Sequence, residues 1–147
     1  MINDALTLEI FEALMAQDTI NPPGNEMRGA LCLKEIFDRE GIPCEVQDLG
    51  HNRANFIACF GEGEKTLEYS GHLDIVPCVG DWKHTAIGTT EEGDLIYGRG
   101  ACDMKGGVAA MCSAAIALYR DKTPLNGKIR LTFVADEEDA NLGMHAF

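Results

Sequence analysis

The 147 residues suffice for one domain with an ordinary core, and a content of 46% hydrophobic and 24% charged residues argues against disorder. Twelve Lys and Arg against 24 Asp and Glu leave a formal charge of -12. That sign argues against the clustered cations by which proteins hold nucleic acid, and it disfavours anionic membrane surfaces for the same reason.

The opening MINDALTLEI has no basic region ahead of an apolar one, so no secretion signal is expected. Asn3 or Asp4 can cap a first helix in which Leu6, Ile10, Phe11, Leu14 and Met15 recur at helical spacing. NPPGNE, residues 21–26, ends it, because two prolines cannot continue a helix. A second helix is predicted from about Glu26 to Glu40, with Ala30, Leu31, Leu33, Ile36 and Phe37 inward and Gly41 as its stop. CEVQDL and NFIACF read as strands around a turn-like GHNRA, and TLEYSGHLDIV as a third. Asp81 to Gly93 reads as loop, LIYG as a short strand, Val108 to Tyr119 as an apolar helix and GKIRLTFVA as a buried strand. The apolar run Gly106 to Leu118 is too short to span a bilayer. Cys32, Cys44, Cys59, Cys78, Cys102 and Cys112 stand singly, without a CxxC pair, and read as reduced thiols of a cytoplasmic protein. Alternating strands and helices predict an α/β fold: a mixed, largely parallel sheet with helices on both faces.

Function in such folds gathers where strands end and helices begin, and three stretches have that character. In SGHLDIVP an extended backbone puts His72 and Asp74 on one side, the arrangement by which an acid orients a metal-binding imidazole. An isolated HxD is more often a satisfied strand-end histidine. In YGRGACDMKGG the glycines surround a single acid, Asp103, just ahead of a helix. A phosphate loop fits poorly, since a carboxylate there repels phosphate and Lys105 is the one nearby cation; a glycine-rich helix entry is the plain alternative. In VADEEDANLG four acids follow an apolar strand, which Asp136 explains if it caps a helix rich in first-turn acids. Taken together, the three stretches supply one imidazole and several carboxylates at successive strand ends, a ligand set suited to Zn2+, Mn2+ or Co2+.

In order and approximate separation, SGHLDIVP, YGRGACDMKGG and ADEEDANLGM resemble the three signatures of the co-catalytic di-zinc amidohydrolases. That family includes succinyl-diaminopimelate desuccinylase, acetylornithine deacetylase, aminoacylase-1 and glutamate carboxypeptidase. NPPGNE resembles a segment near its N-terminus. The resemblance implies that His72 binds one metal and Asp74 orients it, that Asp103 bridges both metals and Glu138 binds the second, and that Glu137 is the general base. It implies two Zn2+, with Co2+ or Mn2+ as alternatives, a small N-acyl amino acid or peptide as substrate, and a cis peptide between Asp103 and Met104. Two features depart from it: Ala140 and Asn141 replace a common Gly-Gly pair, and KHTAIG follows Trp82 in place of an aromatic-proline element.

The family's remaining metal ligands and its lid or dimerisation domain fall after the part that these residues match. Residues 1–147 are therefore expected to form a partial catalytic domain, inactive alone and prone to self-association through uncovered edges. A non-catalytic module that keeps the hydrolase fold is the alternative.

Overall fold

The computed structural model describes residues 3–147. Helix α1 (Asp4–Met15) starts where Asn3 takes an extended conformation and its side chain accepts a hydrogen bond from the Ala5 amide at 3.0 Å. The expected stripe, Leu6, Ile10, Phe11, Leu14 and Met15, is buried. In α2 (Met27–Arg39), Ala30, Leu33, Ile36 and Phe37 are buried as predicted, but Leu31 is 52% exposed. One residue past Ala30 is a 100° step around the helix, which carries Leu31 off the inward stripe. Gly41 follows with φ of +70° and open space where a Cβ would sit. Gly41→Ala is therefore expected to cost about 1 kcal/mol from backbone conformation alone, read as a lower urea midpoint at unchanged slope.

Strands β1 (Cys44–Gly50) and β2 (Arg53–Gly61) form a hairpin. His51 and Asn52 connect them with positive φ at both, as a type I′ hairpin turn requires. Next come β3 (Thr66–His72), β4 (Thr90–Glu92), β5 (Leu95–Tyr97), α3 (Gly106–Arg120), β6 (Lys128–Val134) and α4 (Leu142–His145). The main sheet has the order β1-β2-β6-β3, and β4 pairs with β5 in a separate ribbon. That ribbon lies partly in the stretch expected to be loop. Its turn, around Gly93 at φ of +63°, joins strands with largely exposed side chains, so no alternation marked it.

The sheet is mixed as expected, but it is not largely parallel. Only the β3–β6 ladder is parallel; β1–β2 and β2–β6 are antiparallel. A two-residue turn can only reverse the chain, whereas the β3-to-β6 connection contains α3 and is long enough to cross over.

Coverage is uneven too. Ala54, Phe56, Ala58 and Phe60 of β2 share a face with Ile129, Leu131 and Phe133 of β6, and α1, α2 and α3 enclose that face in one core. Phe37 meets Phe56 edge-on at 5.1 Å, and Phe56 stacks on Phe133 at 6.0 Å. The other face carries no long helix among the described residues; α4 and residues 146–147 lie there, where Asn55 and Gln47 donate side-chain hydrogen bonds to the carbonyls of Gly143 and Ala146.

Residues 101–120 reach the length and apolarity of a membrane span only if the turn at 101–105, whose backbone is non-helical at Asp103 and Met104, is counted with the 15 residues of α3. Val108, Ala109, Cys112, Ala115 and Ile116 are buried in the core, so this is a core helix. No disulfide joins any of the six cysteines.

Candidate metal centre

Because β3 and β6 are parallel and His72 pairs with Val134, the chain leaves both strands at the same sheet edge. The Leu73 amide extends the ladder by donating to the Val134 carbonyl at 2.9 Å. Residues 19–21 run alongside: the Asn21 amide donates to the Ile75 carbonyl, and the Ile75 amide to that of Thr19. Asp103 arrives from the turn before α3. Gly100 opens that turn at φ of +86°, and a Cβ there would lie 2.5 Å from Ile75. The peptide between Asp103 and Met104 is cis, as the resemblance implied.

These routes converge. One donor atom each from His72, Asp103 and Glu138 lies within 4.8 Å of the others. His72 Nε2 is 3.2 Å from Asp103 Oδ1, while Nδ1 is 3.0 Å from the Asp74 backbone carbonyl. With Nδ1 donating to that carbonyl, Nε2 is the nitrogen turned toward Asp103 and the one left for an ion. Glu137 lies outside this donor group, half-exposed, with Oε2 3.8 Å from His72 Nε2. A borderline imidazole beside two hard carboxylates fits a divalent zinc-like ion.

Asp74 does more than the sequence suggested. Its carboxylate is 3.5 Å from His72 Nδ1, farther than its own carbonyl, and it is taken up elsewhere. Oδ1 accepts the Glu137 amide and Oδ2 the Glu138 amide, both at 3.1 Å. One buried carboxylate thus ties the acidic turn to the histidine strand. Burial opposes ionisation of Asp74, but its hydrogen bonds with His72, Asn21 and the two amides outweigh that and hold its pKa low. For His72, burial works downward, yet Asp74 and then Asp103 raise its pKa to about 9. Glu138 is pushed up, mainly by burial and partly by its acidic neighbours.

The sequence pattern of peptidase family M20/M25/M40 matches residues 69–147, more than half of the chain. The chain belongs to this family. The M20 chain is 38% identical over 121 residues to a probable succinyl-diaminopimelate desuccinylase of Staphylococcus aureus (strain MRSA252), covering 81% of itself and 30% of that protein. It is 32% identical over 143 residues to the succinyl-diaminopimelate desuccinylase of Orientia tsutsugamushi (strain Ikeda), covering 94% of itself and 36% of that relative. In structure it resembles the M20 family metallo-carboxypeptidase Sso-CP2 of Sulfolobus solfataricus, with a TM-score of 0.79 at 29% identity over 90% of this chain and 31% of the other. The M20 chain spans about a third of the length of the curated relatives it matches.

Two alternatives weighed in the sequence are not what this M20 chain adopts. Asp136 does not lead an acid-rich helix: residues 137–140 form a turn, and α4, whose first amide it accepts, starts only at Leu142. It sits at φ of +65° in a turn, buried, and accepts hydrogen bonds from Arg53, Asn21 and the Leu142 amide. Lys105 is not free for an anion: its buried ammonium donates to the carbonyls of Leu14 and Gln17 at the end of α1, with its pKa lowered by burial to about 8. The altered Gly-Gly position resolves simply. Positive φ falls on Asn141, which tolerates it, while Ala140 is spared.

Sequence reasoning missed Asn21, Glu26 and Arg53, which lie behind the converging donors. Arg53 Nη1 donates to Glu26 Oε1 at 2.9 Å and to Asp136 Oδ1 at 2.7 Å, and Nη2 donates to Asn21 Oδ1 at 2.7 Å. Burial raises the pKa of Glu26, against the pull of Arg53, and its Oε2 has no hydrogen-bond partner. Asn21 and Glu26 stand at the two ends of NPPGNE, whose resemblance assigned neither a role, and the period of β2 sets Arg53 with Asn55 opposite the core face.

Proposed function

We propose that this M20-family chain contributes the first part of a two-metal centre for hydrolysis of an amide bond in an N-acyl amino acid or small peptide. The observation that carries the reading is the convergence of His72, Asp103 and Glu138, with Glu137 beside them and outside the donor group. His72 and Asp103 would hold one ion, and Asp103 and Glu138 the other. Zn2+ is the best match, and Co2+ or Mn2+ share its ligands. When bound, such a pair supplies a water of lowered pKa and polarises the amide carbonyl. Glu137 takes the water's proton and delivers it to the leaving amine. The desuccinylase names of the relatives and the metallo-carboxypeptidase likeness support this substrate class.

Two protein ligands per ion are fewer than the three that catalytic zinc ordinarily takes. Residues 1–147 are therefore read as a partial catalytic domain, inactive alone. Steady hydrolysis of N-acyl amino acids by the purified chain, abolished by Glu137→Gln, would overturn that. The metal assignment is tested by elemental mass spectrometry of the reconstituted chain after removal of excess zinc. Saturable uptake that disappears in His72→Ala and Asp103→Ala is expected; uptake indifferent to both, or none at all, sinks the assignment.

Self-association belongs to the same reading. β3 is a sheet edge with a free side, and its Leu67 and Tyr69 are 56% and 46% exposed beside the small residues of α3. Light scattering should show a mass that rises with concentration, and a constant monomer mass would refute it.

A further inference from the structure

The Arg53 network draws on three distant parts of the chain: the 21–26 loop, the start of β2 and the turn after β6. Its ion pairs are buried, with side-chain exposures of 13% for Arg53, 0% for Glu26 and 2% for Asp136. Buried ion pairs are poor stabilisers compared with apolar packing, so their geometry is the better place to look for a role.

The geometry forms a directed path. Arg53 Nη2 donates to Asn21 Oδ1, which decides how that amide faces. The other end, Nδ2, then donates to Asp74 Oδ2 at 2.9 Å and Asp136 Oδ1 at 2.8 Å. Asp74 in turn receives the amides of Glu137 and Glu138. Asp136, the residue just before them, is held directly by Arg53 Nη1. Each link from the guanidinium to the acidic turn involves a charged partner, the class of hydrogen bond that is shortest and most directional.

We propose that Arg53 is a positioning residue for Glu137 and Glu138, acting through Asn21, Asp136 and Asp74 on the turn that carries both glutamates. The geometric claim stands by itself, and its consequence for metal rests on the proposed function. Lysine would keep the charge but lose the planar fork that serves Asn21 with one nitrogen and the two carboxylates with the other.

The test compares the chain with its Arg53→Lys and Asn21→Ala variants, first without metal. Amide hydrogen exchange at Glu137 and Glu138 should accelerate roughly tenfold or more, while Ala58 and Leu131 in the sheet core keep their protection. Unchanged exchange at the two glutamates, or equal acceleration throughout the core, overturns the proposal. Should Arg53→Lys fail to fold, Asn21→Ala decides by the same criterion. Titration with Co2+, followed by visible absorption, is the second readout. A roughly tenfold or greater loss of affinity and a changed ligand-field band are expected in both variants. Unaltered Co2+ binding in folded variants overturns the link to the ligands. If the parent chain takes up no Co2+, the metal reading fails, and the exchange data alone decide whether Arg53 sets the turn.

Discussion

Exchanging Glu137 for Gln is expected to lower turnover of an N-acyl amino acid by about 10²- to 10⁴-fold, in any form of the protein that turns substrate over, and to leave its metal content intact. The two halves of that expectation come from different contacts. Metal should stay because the clustered donor atoms belong to His72, Asp103 and Glu138, and not to Glu137. The turn should stay because Glu137 is tied to Asp74 through its backbone amide, which the substitution does not touch. What changes is a half-exposed carboxylate beside the imidazole, replaced by an amide of the same size that cannot accept a proton. Glu138→Gln is the contrasting control, because it weakens a ligand and should lose metal along with rate. Kinetics read together with metal content separates the two. A Glu137→Gln protein that loses its metal would move Glu137 into the ligand set, and one that keeps its rate would remove it from the chemistry.

What was legible in the sequence follows from how local each determinant is. The cap at Asn3 and the stripe of α1 need only neighbours within a few turns, and both are found where the residue pattern put them. Leu31 is apolar but stands off the stripe, so its type alone misled. The strands were visible, yet their pairing was not: β2 joins β6 across a long stretch of chain, and nothing within either strand encodes the direction. The candidate site behaves in the same way. His72, Asp103 and Glu138, which the fold brings together, stood out because each sits in a short segment of distinctive chemistry. Arg53 sits in a segment with no such mark and Glu26 in one whose resemblance gave it no role, and both become meaningful only when folding brings them together with Asp136. Asp136 was open to two readings for a related reason. An acid after a strand can cap a helix or accept from a buried arginine, and only the partner brought from β2 selects the second.

Metal uptake is expected to tighten by about tenfold per pH unit from neutrality up to about pH 9, where the His72 pKa lies, and to level off above it. Burial alone would lower that pKa, but Asp74 and Asp103 flank the ring and raise it from 6.5 to about 9. Near neutrality the metal-free imidazole is therefore charged, and Nε2 carries a proton where an ion needs a lone pair. Binding must release that proton, which gives the slope its sign. For metal-free stability the sign is opposite. A folded pKa above the unfolded 6.5 contributes stability fully present below pH 6.5 and lost as pH rises through about 9. Raising the pH thus weakens the metal-free fold while tightening the metal, and the gain in melting temperature on adding Zn2+ should widen between those two values. Calorimetric titration of Zn2+ in buffers of different ionisation enthalpy should count about one proton released per His72 near neutrality. An affinity flat from neutrality to about pH 9 would show that the ring is already neutral in the free protein, and that Asp74 and Asp103 do not outweigh its burial.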